Sequence, residues 1–117
     1  MPILMTVVET RAFLRDSAST LTEEERVELI NYLAANPEAG DLMAETGGIR
    51  KLRWGVSGRG KRGGVRVIYY FHSESIPLFL LNVFAKNEKA NLTKAERNEL
   101  RSLVGILVEG YRGRRLR

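Results

Sequence analysis

The chain reads as an α+β protein: a mostly antiparallel, four-stranded sheet with two helices in the N-terminal half and one at the C-terminus. Three observations predict this. Three β-prone runs follow one another between residues 49 and 84, each closed by turn residues. Two Thr-x-x-Glu capping boxes open helical stripes, one before and one after those runs. Neither an internal repeat nor a long linker interrupts the order, so one domain spanning 1–117 is expected, with its helices gathered on one face of the sheet.

Taken in order, Ile3 to Val8 is continuously apolar and too short for a helix, as in a buried strand. Thr10 to Leu21 holds a short helix around Phe13 and Leu14. Thr22-Glu23-Glu24-Glu25 is the first capping box; behind it Val27, Ile30, Leu33 and Ala34 recur at helical spacing until Asn36-Pro37 ends the helix. Pro37 to Gly48 reads as a loop. In Ile49 to Val56, alternation sets Leu52, Trp54 and Val56 on one face and Lys51 and Arg53 on the other. Ser57 to Gly64 holds four glycines in eight positions and reads as a mobile hairpin connection. Val65 to His72 is β-branched and aromatic and pairs with the preceding strand. Pro77 to Phe84 is apolar almost throughout, which predicts a central strand buried on both faces. Thr93-Lys94-Ala95-Glu96 then caps a last helix with the stripe Leu100, Leu103, Val104, Leu107, Val108 and Tyr111.

Charge is distributed unevenly over these elements. The chain carries 19 Lys and Arg against 14 Asp and Glu, a net charge of +5. Residues 46 to 73 hold seven cations, Arg50, Lys51, Arg53, Arg59, Lys61, Arg62 and Arg66, and no acid. A strand–loop–strand so charged points to a polyanion, nucleic acid first. With no cysteine, one histidine and no carboxylate cluster, neither disulfides nor a metal centre is expected, and no cofactor. His72 lacks a serine in a nucleophile-elbow context, and its place at a strand end favours a solvated role. The Gly58-Arg59-Gly60-Lys61-Arg62-Gly63 loop misses the phosphate-loop pattern and has no helix behind it. It reads equally as a hairpin tracking a nucleic-acid backbone and as a charged turn that keeps edge strands apart. No apolar stretch approaches the ~20 residues of a membrane span. The N-terminus lacks a signal-peptide pattern, so a cytoplasmic location is expected.

Lys51, Arg53 and Arg66 carry the sharpest functional expectation. On one sheet face they lie within reach of a common phosphate, and they would repel one another without an anion between them. Such a cluster stabilises the charge that builds on phosphate oxygens during RNA cleavage. RNA brings its own nucleophile in the 2′-hydroxyl, so the protein need only position, neutralise and move protons. A lysine crowded by like charges has a lowered pKa and can serve as general base.

Three blocks carry a resemblance: Gly47-Gly48-Ile49-Arg50-Lys51-Leu52-Arg53-Trp54, Gly58 to Tyr70, and Phe84-Ala85-Lys86-Asn87-Glu88-Lys89-Ala90-Asn91-Leu92-Thr93. Together, and in this order, they resemble the HigB branch of the RelE-like toxins of bacterial type II toxin–antitoxin systems, as does Asn36 to Asp41. The resemblance implies a compact RelE-like domain with a twisted sheet. The activity it implies is that of a metal-free endoribonuclease cutting mRNA in the ribosomal A site by 2′-hydroxyl attack. Arg66 then matches the arginine on the scissile phosphate, Lys51 and Arg53 the basic pair on the preceding strand, and Lys86 a basic residue after the last strand. Arg50, Arg59, Lys61, Arg62, Lys89 and Tyr70 are candidate RNA contacts. The family's tyrosine near the start of the final helix is replaced here by Asn91-Leu92-Thr93, so that its role is either absent or taken by Tyr70 or another group. The implied partner is a HigA-like helix-turn-helix antitoxin, with operator DNA bound only through it. Two other readings remain at this point: a ParE-like gyrase poison of the same fold, against which the cation set argues, and an inactive basic binding module.

Overall fold

In a computed structural model, residues 4–55, 64–86 and 91–115 are described, and the side chains of the last helix through Arg112. The elements run β1 (Val7–Glu9), α1 (Arg11–Thr20), α2 (Glu23–Ala35), β2 (Asp41–Leu42), β3 (Ile49–Trp54), β4 (Val65–Tyr70), β5 (Leu78–Ala85) and α3 (Lys94–Arg115).

Local chemistry sets most of these boundaries. The Thr10 hydroxyl accepts the Phe13 amide at 3.3 Å and so caps α1, while it also donates to the Leu80 carbonyl at 2.8 Å, tying that cap to β5. At α2 the Thr22–Glu25 box forms in both directions, 2.8 and 3.1 Å, and three glutamates in the first turn complement the helix dipole. Thr93 and Glu96 repeat the device at α3, again at 2.8 and 3.1 Å. Asn36 leaves helical geometry immediately before Pro37, as the residue preceding a proline must.

The sheet has five strands in the order β1-β5-β4-β3-β2; β1 runs parallel to β5 and every other pairing is antiparallel. The fifth strand, β2, is a two-residue edge piece inside the segment expected to be loop. It forms because the turn after it closes on itself. The Thr46 hydroxyl accepts the Ile49 amide at 3.2 Å and donates to the Met43 carbonyl at 2.7 Å, with Glu45, Gly47 and Gly48 at positive φ. Tyr69 holds the preceding loop against the sheet: its buried hydroxyl donates to the Pro37 carbonyl and accepts the Gly40 amide, each at 2.8 Å.

The helices do not gather on one face. Phe13, Leu21, Leu29 and Leu33 of the α1–α2 layer pack with Leu52, Val65, Val67, Tyr69, Leu78, Leu80 and Val83. On the other side Leu92, Leu100 and Val104 of the α3 segment pack with Ile49, Ile68, Tyr70, Phe79 and Leu81. The result is three layers, and all six residues of β4 are buried. A central strand apolar on both faces requires cover on both, which only a helix on each side supplies. A bulge at Leu81 re-phases β5, so Leu80 and Val83, three residues apart, both reach the α1–α2 core.

A candidate cationic site on the open half of one sheet face

Alternation along paired strands fixes which side chains share the α3 face. Arg53 of β3 pairs with Arg66 of β4, which pairs on its other side with Phe84 of β5. One row further along, Lys51 pairs with Ile68, and the next row is Ile49–Tyr70–Phe79. The face is therefore divided: α3 covers the apolar end, and the end carrying Arg53, Arg66 and Lys51 lies beyond its first turn. Directly paired side chains stand ~5 Å apart at Cβ and diagonal ones ~7–8 Å, so these three cations converge.

Their surroundings differ. Arg66 is 8% exposed, and its one hydrogen bond among the described residues is a long one, 3.4 Å, to the Val65 carbonyl. Arg53 is exposed and forms the rim. The Lys51 ammonium donates to the Asn91 side-chain oxygen at 2.6 Å, which holds it over the start of α3. Among the described residues, no carboxylate lies within ion-pair distance of any of the three. A buried guanidinium beside a second one, without a counter-ion, favours an anion in the space between.

The remaining expected contacts fall elsewhere. Arg50 belongs to the opposite face; its guanidinium donates to the Glu38 and Gly40 carbonyls at 3.2 and 2.8 Å and approaches the Glu38 carboxylate at 3.9 Å. It braces the loop that Tyr69 also holds, on the side of the sheet away from Arg53 and Arg66. Tyr70 lies apart from the three cations, at the covered end of the face. It is 5% exposed within the α3 core, stacked 6.4 Å from His72 and tilted 6.5 Å from Phe79, so its ring is not offered to a base. Burial raises the Tyr70 pKa, partly opposed by Arg112. His72 is exposed at the far end of β4, six residues from Arg66 and so roughly 20 Å along the strand. Lys86 is exposed just past β5, its amide bonded to the Gly64 carbonyl at 3.2 Å. Arg59, Lys61, Arg62 and Lys89 lie outside the described residues.

Two members of the site escaped sequence reasoning. Asn91 has no signal beyond its place ahead of a capping box, yet it is the partner of Lys51. Phe84 reads as a core residue of an apolar strand but stands half-buried beside Arg66. Among the described residues, no group of three or more His, Cys, Asp or Glu side chains is placed to hold a metal ion, and no helix is long and apolar enough to cross a membrane.

The class so defined is a small three-layer α+β domain with a cationic half-face. The family model for the RelE toxin of the RelE/RelB toxin–antitoxin system matches residues 5–112, and the chain belongs to that family. Its fold is similar to that of the E. coli toxin RelE, solved in the free state as a double arginine-to-alanine mutant. The match has a TM-score of 0.53 at 16% identity and covers 74% of this chain and 87% of that one. The protein is thus a toxin of the RelE type, and the family's description pairs such a toxin with an antitoxin.

Proposed function

We propose that the protein is a metal-free endoribonuclease that cuts mRNA in the A site of translating ribosomes and thereby stops translation. One observation carries this reading: the cross-strand Arg53–Arg66 pair, with Lys51 diagonal to it, on the uncovered half of the sheet and without a carboxylate partner among the described residues. Arg66 and Arg53 neutralise the non-bridging oxygens of the scissile phosphate, where charge builds as the 2′-oxygen attacks. Lys51, positioned by Asn91, takes the 2′-hydroxyl proton in its neutral amine form and becomes the ammonium. The P–O5′ bond breaks as the new P–O2′ bond forms, leaving a 2′,3′-cyclic phosphate and a 5′-oxygen that takes a proton from water. Lys86, just past the end of β5 next to Gly64, adds positive charge for the flanking backbone. Phe84 offers a ring edge beside the linkage.

The antitoxin in this reading is a HigA-like helix-turn-helix protein that blocks the cationic face and alone contacts operator DNA. A ParE-like gyrase poison would not require cations converging on one linkage. The deciding experiment is expression of the toxin without antitoxin, followed by mapping of mRNA 5′ ends. New ends confined to translated frames, absent in Arg66→Met, are expected. DNA damage without RNA cuts would replace this reading with the gyrase one.

A further inference from the structure

The two flanks of α3 carry opposite charge. Toward the edge of the sheet at β5, its first turns present Glu96 and Glu99 to a cleft shared with α1. Toward β2 and β3 they present Lys94, Arg97 and Arg101, spaced three and four residues apart so that they stack along one side of the helix. These three line a cleft of about 410 Å³ closed on its other side by Ala44, Glu45 and Thr46 of the β2–β3 turn. The Arg97 Nε is buried there without a hydrogen-bond partner. Among the described residues Arg101 is engaged by neutral oxygens, the Glu45 carbonyl at 2.9 Å and the Asn98 side chain at 3.3 Å. The residue whose carbonyl it grips, Glu45, is the one non-glycine at positive φ among the described residues. Among those residues no ion pair reaches Lys94, Arg97 or Arg101.

We propose that this cleft is a second RNA-backbone site, which takes phosphates several nucleotides from the linkage held by Arg53 and Arg66. The inference rests on the nuclease reading above and extends it. Continuity supports it: Lys51 bonds to Asn91, Asn91 lies two residues before the N-cap-to-α3 step at Thr93, and Lys94 opens the basic flank. A single cationic track therefore runs from the sheet onto the helix. Guanidinium groups present forked donors that match phosphate oxygens, and the cleft has few apolar side chains of the kind that anchor a protein partner. Lys94 to Arg101 spans seven residues, about 10 Å along the helix axis, room for more than one phosphate. Those phosphates belong either to mRNA or to ribosomal RNA.

The test measures salt-dependent binding of the full chain to two probes, a 2′-O-methylated single-stranded oligoribonucleotide that cannot be cut, and intact ribosomes. Each phosphate neutralised contributes roughly 0.7 to the slope of log K against log salt for single strands. K94Q/R97Q/R101Q should flatten that slope by about 2, equivalent to roughly 100-fold weaker binding at 0.1 M than at 1 M salt relative to wild type. K94Q/R97Q, which leaves the Arg101–Glu45 contact intact, should flatten it by about 1.4. R11Q/R15Q on α1 should change nothing. Loss on the oligonucleotide assigns the cleft to mRNA, and loss on ribosomes alone assigns it to ribosomal RNA; either supports the proposal. Unchanged slopes on both probes overturn it, as does wild-type binding that lacks salt dependence. Loss of poly-L-glutamate binding with RNA slopes unchanged would make the cleft a protein-docking surface and also overturn it. Cleavage by wild type and Arg66→Met, run in parallel, tests the nuclease reading separately.

Discussion

Replacing Arg66 by methionine separates what the site does for the fold from what it does for function. The aliphatic stem of Arg66 is packed in the sheet, and methionine keeps that volume while removing the charge. In the folded protein the Arg66 guanidinium faces that of Arg53 across the β3–β4 pair. At ~6 Å the repulsion is roughly 0.7 kcal/mol in a water-like dielectric and about 2.8 kcal/mol at an effective constant of 20. Arg53 is exposed, which favours the lower end, so we take ~1 kcal/mol. Removing a buried cation that lacks a carboxylate partner adds to the gain. Arg66→Met should therefore unfold at a temperature roughly 3–6 °C higher than wild type in low salt. The difference should shrink in 0.5 M salt, where the pair is screened over a few ångströms. Cleavage of mRNA in a translation extract should fall by about 10²–10³-fold, the usual cost of losing one oxyanion-stabilising group. Calorimetry and a cleavage time course read the two quantities on one preparation. A variant that is less stable by several degrees would show the guanidinium to be part of the fold. A more stable variant that still cuts RNA would remove the site from Arg66.

Asn91→Ala should leave the melting temperature within about 1 °C while slowing cleavage by roughly 3–10-fold, because only the 2.6 Å tether on Lys51 is lost; an unchanged rate would deny Lys51 a positioned role. Gly40→Ala should destabilise by about 1–3 kcal/mol in urea titration, since the new Cβ would lie 2.9 Å from the Tyr69 ring and 3.0 Å from the Lys51 carbonyl; wild-type stability would mean that the loop is not pressed on the sheet. The Tyr69 pKa is raised above its ordinary value of 10.0, burial being the main cause. The folded state thus holds that proton more tightly than the unfolded chain. Its contribution is complete below about pH 10 and is lost as pH rises through the folded value, so the melting temperature should fall as pH rises above about 10. Tyr69→Phe should be less stable at neutral pH, lacking two 2.8 Å hydrogen bonds, and should show a shallower alkaline decline; an equally steep decline would place the titration elsewhere.

Much of the fold was legible because its signals are local. Both capping boxes, the proline after α2 and the alternation in β3 work within a few residues, and each element so marked is present. β2 was not legible: Asp41–Leu42 has no strand propensity of its own and exists because the Thr46 turn folds it back onto Arg50 and Lys51. The placement of α3 opposite α1 and α2 was implied by the apolar run of β5 and by the buried pattern of β4, yet layer assignment depends on distant pairings that periodicity along one element does not encode. For the site, alternation placed Lys51 and Arg53 together and opposite Leu52. It could equally have separated Arg50, one residue out of phase, but charge composition grouped Arg50 with its neighbours. Tyr70 shares the face of the three cations but stands at the end that α3 covers, a division along the strand that alternation does not encode.

That division of one face explains how a sheet can hold cations that have no carboxylate partner among the described residues. Like charges side by side weaken a strand pair, and a buried arginine without a counter-ion weakens it further. The same strands carry compensation in the next rows: Ile68 and Tyr70 of β4, with Ile49 and Phe79, are buried under Leu100 and Val104. Burying such side chains contributes roughly 1.5–3 kcal/mol each, enough to hold the register against ~1–3 kcal/mol of repulsion at Arg53 and Arg66. The register in turn keeps the two guanidinium groups converged when no anion is present, so binding need not assemble them. The prediction that follows is specific to the covered end. Val104→Ala should loosen α3, destabilise the fold by the ~1–3 kcal/mol of a buried valine truncation, and weaken RNA binding although Val104 lies in the apolar cluster under α3. Binding that stays at the wild-type level in a folded but destabilised Val104→Ala would mean that the cationic end holds its geometry without help from the helix.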